Sequence, residues 1–300
     1  MGTPAFAVPS LERVVSAGHD VAAVFTQPDR PKGRGQRESM PAVKEAALRL
    51  GLAVYQPERV RRAEAVEQLR GMAPEAMVVV GYGQIIPKTI LDIPPMGIVN
   101  VHASLLPKYR GAAPIQWAIA RGETRTGVTT MRISEGLDTG DMLLKWETEI
   151  GAEETAAELG ERLAAAGAEL LVRTLAELPI IQPEPQDDSQ ASYAPILKKE
   201  DGKIKWTMPA REILNRVRGF VPWPGAYGFL GGQRLHVWKA EAGEVALPPG
   251  ALRVVNRKLY AGCGEGSSIE MREVQLEGKK RMQAAAFLNG FPMVVDEVLQ

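Results

Sequence analysis

Two polar side chains stand two residues apart in an otherwise apolar stretch, Ile98-Val99-Asn100-Val101-His102, and Asp138 follows within Gly136-Leu137-Asp138-Thr139-Gly140-Asp141. On an extended strand, the period of two puts Ile98, Asn100 and His102 on one side and Val99 and Val101 on the other. Buried polar groups cost stability unless they are hydrogen-bonded. Such a pair therefore either ties down the next loop or meets a ligand, and at this point both readings stand. An amide and an imidazole can donate hydrogen bonds to a carbonyl oxygen that becomes negative. A carboxylate can keep the imidazole oriented and take up a proton from an attacking amine. This trio, with no nucleophile beside it, suits direct transfer of a group between two bound substrates. Asp138 by itself has an ordinary explanation, because Asp and Gly are common turn residues.

Other chemistries lose their support. Asp138-Thr139-Gly140 matches the aspartic-protease signature, but that site needs two facing aspartates and an all-β chain. There is no G-x-S-x-G, and the single cysteine, Cys263, has no activating surroundings. Gly81-Tyr82-Gly83 begins like G-x-G-x-x-G, yet the sixth position is Ile86, and no P-loop pattern occurs. His19, His102 and His236 are too far apart for a metal-ligand spacing, so no metal is expected.

The elements that must position the trio are legible from periodicity. Strands are expected at 20–27, 77–83 and 97–103, with GVTTMRIS and MLLKWETEI forming two more around the Asp138 turn. Helices are expected from Pro41 to Gly51, from Pro114 to Gly122, and over 151–178, where Leu159, Leu163, Ala166 and Leu170 recur at helical spacing. Strands alternating with helices predict an α/β fold with a doubly wound, mostly parallel sheet. In such sheets, ligands sit at the carboxyl ends of the strands, where Gly81, His102 and Ser134 lead into loops. Residues 28–39 read as a loop too polar to bury. Around 183 the composition turns to QPEPQDDSQASYAP, which predicts a linker. Short strands follow, with a parity change between Met271 and Val274 that predicts a β-bulge. A small antiparallel, OB-like β-barrel is expected there. The expected domains are thus 1–183, a linker over 184–202, and 203–300.

The chain has 300 residues, 45% apolar and 24% charged, with 36 basic and 36 acidic side chains. This is an ordinary globular composition. Residues 201–300 carry 14 basic and 10 acidic groups, while residues 1–200 carry 22 and 26, so the C-terminal third leans toward an anionic partner. One cysteine, no secretory leader and no run of membrane-spanning length lead to the expectation of a cytoplasmic protein off the membrane.

The chain resembles the methionyl-tRNA formyltransferase family of 10-formyltetrahydrofolate-dependent enzymes. The likeness covers nearly the whole sequence. It rests on N-V-H-A-S-L-L-P-K-Y-R-G-A-A-P-I-Q-W from Asn100, G-L-D-T-G-D-M-L from Gly136 and the opening G-T-P-A-F-A-V-P-S-L. Also matching are P-D-R-P-K-G-R-G-Q from Pro28, Y-A-P-I-L-K-K-E-D-G-K-I-K-W from Tyr193, F-V-P-W-P-G-A-Y, W-K-A and E-G-K-K-R-M. The resemblance implies formyl transfer from 10-formyltetrahydrofolate, as co-substrate, to the α-amine of methionyl initiator tRNA in translation initiation. It implies Asn100, His102 and Asp138 as catalytic residues, and Ser104, Leu105, Leu106 and Pro107 as a folate contact. The backbone around Tyr82 and Gly83 would help hold the pterin. The basic loop would wedge into the tRNA acceptor stem, with Arg34 as its main arginine and Lys32 and Arg37 beside it. The C-terminal domain would bind tRNA through Lys279, Lys280 and Arg281, with Lys198, Lys199, Lys203 and Lys205 as further candidates. The expected assembly is a monomer. Family members carry a short apolar strand before G-T-P. Met1 stands in its place here, so a central position in the sheet is expected to be empty and the fold poorly stable. Two competing readings are a formyltransferase acting on an amino-sugar nucleotide, which would not need Pro31–Gln36, and an RNA-binding protein with an inactive transferase domain.

Overall fold

The computed structural model describes residues 1–32, 37–290 and 298–300. They divide into two compact units, one of residues 1–114, 125–148 and 160–194, the other of 115–124, 149–159 and 195–300. The helices are α1 (Val8–Ser16), α2 (Ala42–Arg49), α3 (Ala63–Met72), α4 (Lys88–Leu91), α5 (Pro114–Ala120), α6 (Ala156–Glu177), α7 (Ala210–Gly219) and α8 (Ala284–Gly290). None of them is long and apolar enough to cross a membrane.

In the first unit the strands are β1 (Val24–Phe25), β2 (Arg30–Lys32), β3 (Arg37–Ser39), β4 (Val54–Tyr55) and β5 (Met77–Val79). They continue with β6 (Ile98–His102), β7 (Arg110–Gly111), β8 (Arg125–Arg132), β9 (Met142–Glu149) and β10 (Tyr193–Ala194). β1 pairs with β4 and β5 with β6 in parallel, as helical crossovers require. β6 pairs with β8 antiparallel, and β9 lies outside β8. β6 is buried along its whole length, which explains its unbroken apolar background. Behind it runs α6, whose Gly167 is needed for close approach: a Cβ there would lie 3.0 Å from Val101 Cγ1 and 3.3 Å from Val128 Cγ1. Val101 is therefore covered by α6, and Asn100 and His102 face the other way. The polar run at 28–39 is not a plain loop. β2 and β3 pair antiparallel, with Lys32 opposite Arg37, and Arg34 lies outside the described residues.

Met1 and Gly2 occupy the place between β1 and β5. The Met1 amine donates to Val78 O at 2.7 Å, Val80 N–H donates to Met1 O, and Gly2 N–H donates to Phe25 O. Alongside residues 19–24 and 73–78 lies a cavity of about 600 Å³, lined by Met1, Leu11, Val14, Leu69, Met72 and Leu175 among others.

In the second unit, β11 (Ala226–Leu230), β12 (Gln233–Ala242), β13 (Leu252–Val255), β14 (Lys258–Gly262) and β15 (Ser268–Leu276) pair antiparallel in the order β11-β12-β15-β14-β13. β16 (Met282–Gln283) joins β15. Their inner face packs with Ile213 and Val217 of α7 and Phe287 of α8 over Leu235, Val237, Leu259, Ile269, Met271 and Val274. The predicted bulge is present: Val237 pairs with Val274 and Ala240 with Met271, with register shifts between, so residues of both parities in β15 face the core. The expected closed, OB-like barrel is not what forms. β11 and β13 remain the edges of an open sheet. The chain end bonds there instead: Leu299 N–H donates to Gly250 O, just before β13, and Phe229 of β11 and Gln300 exchange two backbone hydrogen bonds. Loop and terminal backbone thus satisfy edge groups that a closed ladder would pair.

Candidate active site

The parallel register sets Val79 beside Asn100, so the loop after β5 and the loop after β6 leave the sheet at the same end. On the other side, antiparallel pairing puts Thr129 beside His102. Thr129 is fully buried; its hydroxyl donates to Ser104 O at 2.7 Å and accepts from Leu106 N–H at 3.1 Å. It fixes the turn through which Ser104-Leu105-Leu106-Pro107 leaves the strand. Ser104 closes that turn by donating to Lys108 O at 2.6 Å, so its hydroxyl is committed locally. Leu105 and Pro107 are half-buried and Leu106 is buried, so the run offers an apolar surface beside the strand end.

Asn100 and His102 are both buried. Asn100's side-chain amide makes no hydrogen bond with the described residues, and it is not among the buried polar groups left orphaned. His102 Nε2 lies 2.9 Å from Tyr109 O. A carbonyl can only accept, so Nε2 carries the hydrogen and, in the neutral ring, Nδ1 is bare. That Nδ1 faces Asp138 Oδ2 at 3.6 Å. The distance exceeds a hydrogen bond, and a shift of roughly 0.7 Å would make one once a proton lies between them. The sequence-based expectation gave His102 a free hydrogen for a ligand oxygen. The geometry places that hydrogen on Tyr109 O and leaves the ring's other nitrogen for proton exchange with Asp138.

Asp138 sits at φ 51°, in the left-handed region. Its Oδ2 accepts from Gly111 N–H at 2.8 Å. Gly111, at φ 119°, approaches Ala194 so closely that a Cβ would lie 2.6 Å from Ala194 O. The stretch around β7 therefore touches both members of the pair, His102 through Tyr109 O and Asp138 through Gly111 N–H. β7 in turn pairs in parallel with β10, within the segment expected to be a linker. Arg110 N–H donates to Ser192 O, and Tyr109 N–H to Ser192 Oγ, both at 2.9 Å. None of these bracing residues stood out in the sequence. Backbone donors and acceptors carry no side-chain signature, and Thr129 looks like any strand threonine.

The other candidates separate. Tyr82's ring is buried in the core around Phe25 and Ile90, with its hydroxyl unpartnered; burial pushes it up to about 12. Its side chain is a packing element. Its carbonyl accepts from Thr3 Oγ1 and Gln27 Nε2, which ties the opening Gly2-Thr3-Pro4 turn to the loop after β5. Gly83, exposed at φ 80°, continues that loop. Lys279 and Lys280 are exposed after β15. Arg281 is paired with Glu273 and lies 5.3 Å over the Trp238 ring, so it is less free than its two neighbours.

Taken together, the strand end holds an amide uncommitted to the described residues, an imidazole facing a carboxylate at 3.6 Å, and an apolar turn. Comparisons with known proteins agree with this chemistry. The formyl transferase family matches residues 1–175, and the formyl transferase C-terminal domain matches residues 196–292. A methionyl-tRNA formyltransferase from Solibacter usitatus is 63% identical over 304 residues, covering 100% of this chain and 97% of its own. One from Geobacter sulfurreducens is 51% identical, covering 97% of this chain and 92% of its own. Among solved structures, an N-formyltransferase from Helicobacter canadensis, in complex with folinic acid and dTDP-3-aminofucose, aligns with a TM-score of 0.67 at 18% identity. That alignment covers 90% of this chain and 96% of the other, and at this identity it speaks for the fold. With half or more of each relative's residues shared along almost its full length, the chain belongs to the methionyl-tRNA formyltransferase family.

Proposed function

We propose that this protein moves the formyl group of 10-formyltetrahydrofolate to the α-amine of methionyl initiator tRNA by direct amine attack, as a cytoplasmic monomer that needs no metal. The observation that carries the reading is the His102–Asp138 pair at the end of the strand whose same face presents Asn100. An amide donor uncommitted to the described residues suits a ligand oxygen, and a formyl oxygen becomes negative as the amine adds. The attacking amine must be neutral, and a free α-amino group titrates near ~8, so much of it is ready near neutral pH. As the new C–N bond forms, the amine becomes acidic. His102 Nδ1, facing Asp138, accepts its proton, and the imidazolium so formed is stabilised by the carboxylate. The same proton is available to the departing folate nitrogen. The co-substrate is held against Ser104–Pro107 and the backbone of Tyr82 and Gly83, where the two loops leave neighbouring strands.

The substrate amine is carried by tRNA. Arg34, with Lys32 and Arg37, contacts the acceptor stem, and Lys279, Lys280 and Arg281 contact its backbone. Such contacts are salt-sensitive. Arg34→Ala is expected to weaken use of tRNA while leaving folate binding unchanged; loss of both together would mark a folding defect. The deciding assay pairs a labelled formyl donor with charged initiator tRNA and, separately, with an amino-sugar nucleotide. Label on tRNA alone supports the reading. Label on the sugar alone, or on neither, refutes it.

A further inference from the structure

The function described leaves one side-chain cluster unused, a chain of hydrogen bonds behind Asp138. Arg110 is 2% exposed, and its guanidinium is occupied on two sides. Nε donates to Gln186 Oε1 at 2.9 Å, and Nη2 donates to Asp188 Oδ1 at 2.8 Å. With its oxygen so fixed, the Gln186 amide must point its NH₂ the opposite way. That group donates to Asp138 O at 2.8 Å and to Gly140 O at 2.7 Å. Every donor and acceptor on this path is matched, which settles the amide's orientation. Arg110 belongs to β7, and its neighbours Tyr109 O and Gly111 N–H hold His102 and Asp138. Gln186 thus spans from the loop carrying the carboxylate to the strand that grips both members of the pair.

We propose that Gln186, oriented by Arg110, is a positioning residue for formyl transfer: it locks the Asp138 loop at the separation from His102 that proton exchange requires. The proposal rests on the formyl-transfer reading. The physical need is clear from the backbone. A non-glycine residue in the left-handed region is disfavoured and stays there only when its surroundings hold it. Two of the hydrogen bonds that hold this loop come from one amide, on carbonyls flanking Thr139. Without them the loop loses anchorage on one side, and the 3.6 Å gap to His102 is no longer set. Misplacement by about 1 Å typically costs on the order of a hundred-fold in rate. Residues 184–194 read as a linker in the sequence, so nothing there marked Gln186 as part of the site.

The test uses Gln186→Glu and Gln186→Met in the full chain. The Glu variant keeps the acceptor for Arg110 but removes both donors; the Met variant removes them without adding charge. Both should lower kcat roughly ten- to a hundred-fold while KM for each substrate stays within about two-fold. In an Asp138→Asn background the same changes should cost less than about two-fold, because the group they position is already disabled. The proposal is overturned if either variant turns over within two-fold of the parent, if only the Glu variant is slow, if the loss persists undiminished beside Asp138→Asn, or if both variants fail to fold. No formyl transfer by the parent chain would instead defeat the functional reading, and this proposal with it.

Discussion

Asn100→Ala is expected to cut kcat by roughly a hundred- to a thousand-fold, equivalent to about 3–4 kcal/mol of transition-state stabilisation, with KM for either substrate little changed. The split follows from where the amide stands. Asn100 belongs to the buried strand β6 and its amide makes no hydrogen bond with the described residues, so the backbone holds a donor that is available to a ligand. The formyl oxygen carries only a partial charge in the bound complex that precedes attack, and a full one as the amine adds. A donor aimed at it therefore contributes chiefly at the transition state. Stability should hold: the alanine removes no hydrogen bond to a described residue and leaves Val99 and Val101 packed on the other face. Steady-state kinetics with both substrates, together with a thermal melt, check this. An alanine variant that turns over like the parent would remove Asn100 from the chemistry.

Asp138→Asn is expected to lose roughly a hundred- to ten-thousand-fold in kcat through a different failure. The replacement is isosteric, and its carbonyl can still accept from Gly111 N–H as Asp138 Oδ2 does. Oδ2 is also the atom that faces His102 Nδ1, so with the carbonyl kept on Gly111 N–H the ring meets a neutral amide oxygen, and with the NH₂ turned there the Gly111 bond is lost. Either way the carboxylate that should stabilise the imidazolium is gone. Steady-state kinetics check this, and activity within ten-fold of the parent would show that the proton leaves by another route.

Much of this site is legible in the amino-acid sequence alone. The alternation Ile98-Val99-Asn100-Val101-His102 determines which side chains share a face, because the period of a strand is a local property of the backbone. The parity change in Ser268–Leu276 marks its bulge for the same reason. The motifs around Asn100 and Asp138 also carry the family, and through it the reaction. What tertiary structure decided is everything set by partners distant in sequence. Tyr109 O, Gly111 N–H and Gln186 act through groups that any residue, or any glutamine, could offer. A stretch as polar as residues 182–195 shows no periodicity even where it is hydrogen-bonded to β7, the strand that contacts His102 and Asp138. The tautomer of His102 depends on a carbonyl seven residues away that only the turn brings back. Tyr82 followed a strand into the expected ligand loop, but its ring went to the core because apolar burial there outweighs one unpartnered hydroxyl. The open sheet of the second unit, bonded at its edges to the chain end, was equally out of reach. Strand order and edge pairing are decided by packing among elements far apart in the chain, and the residues' alternation records only which way each one faces.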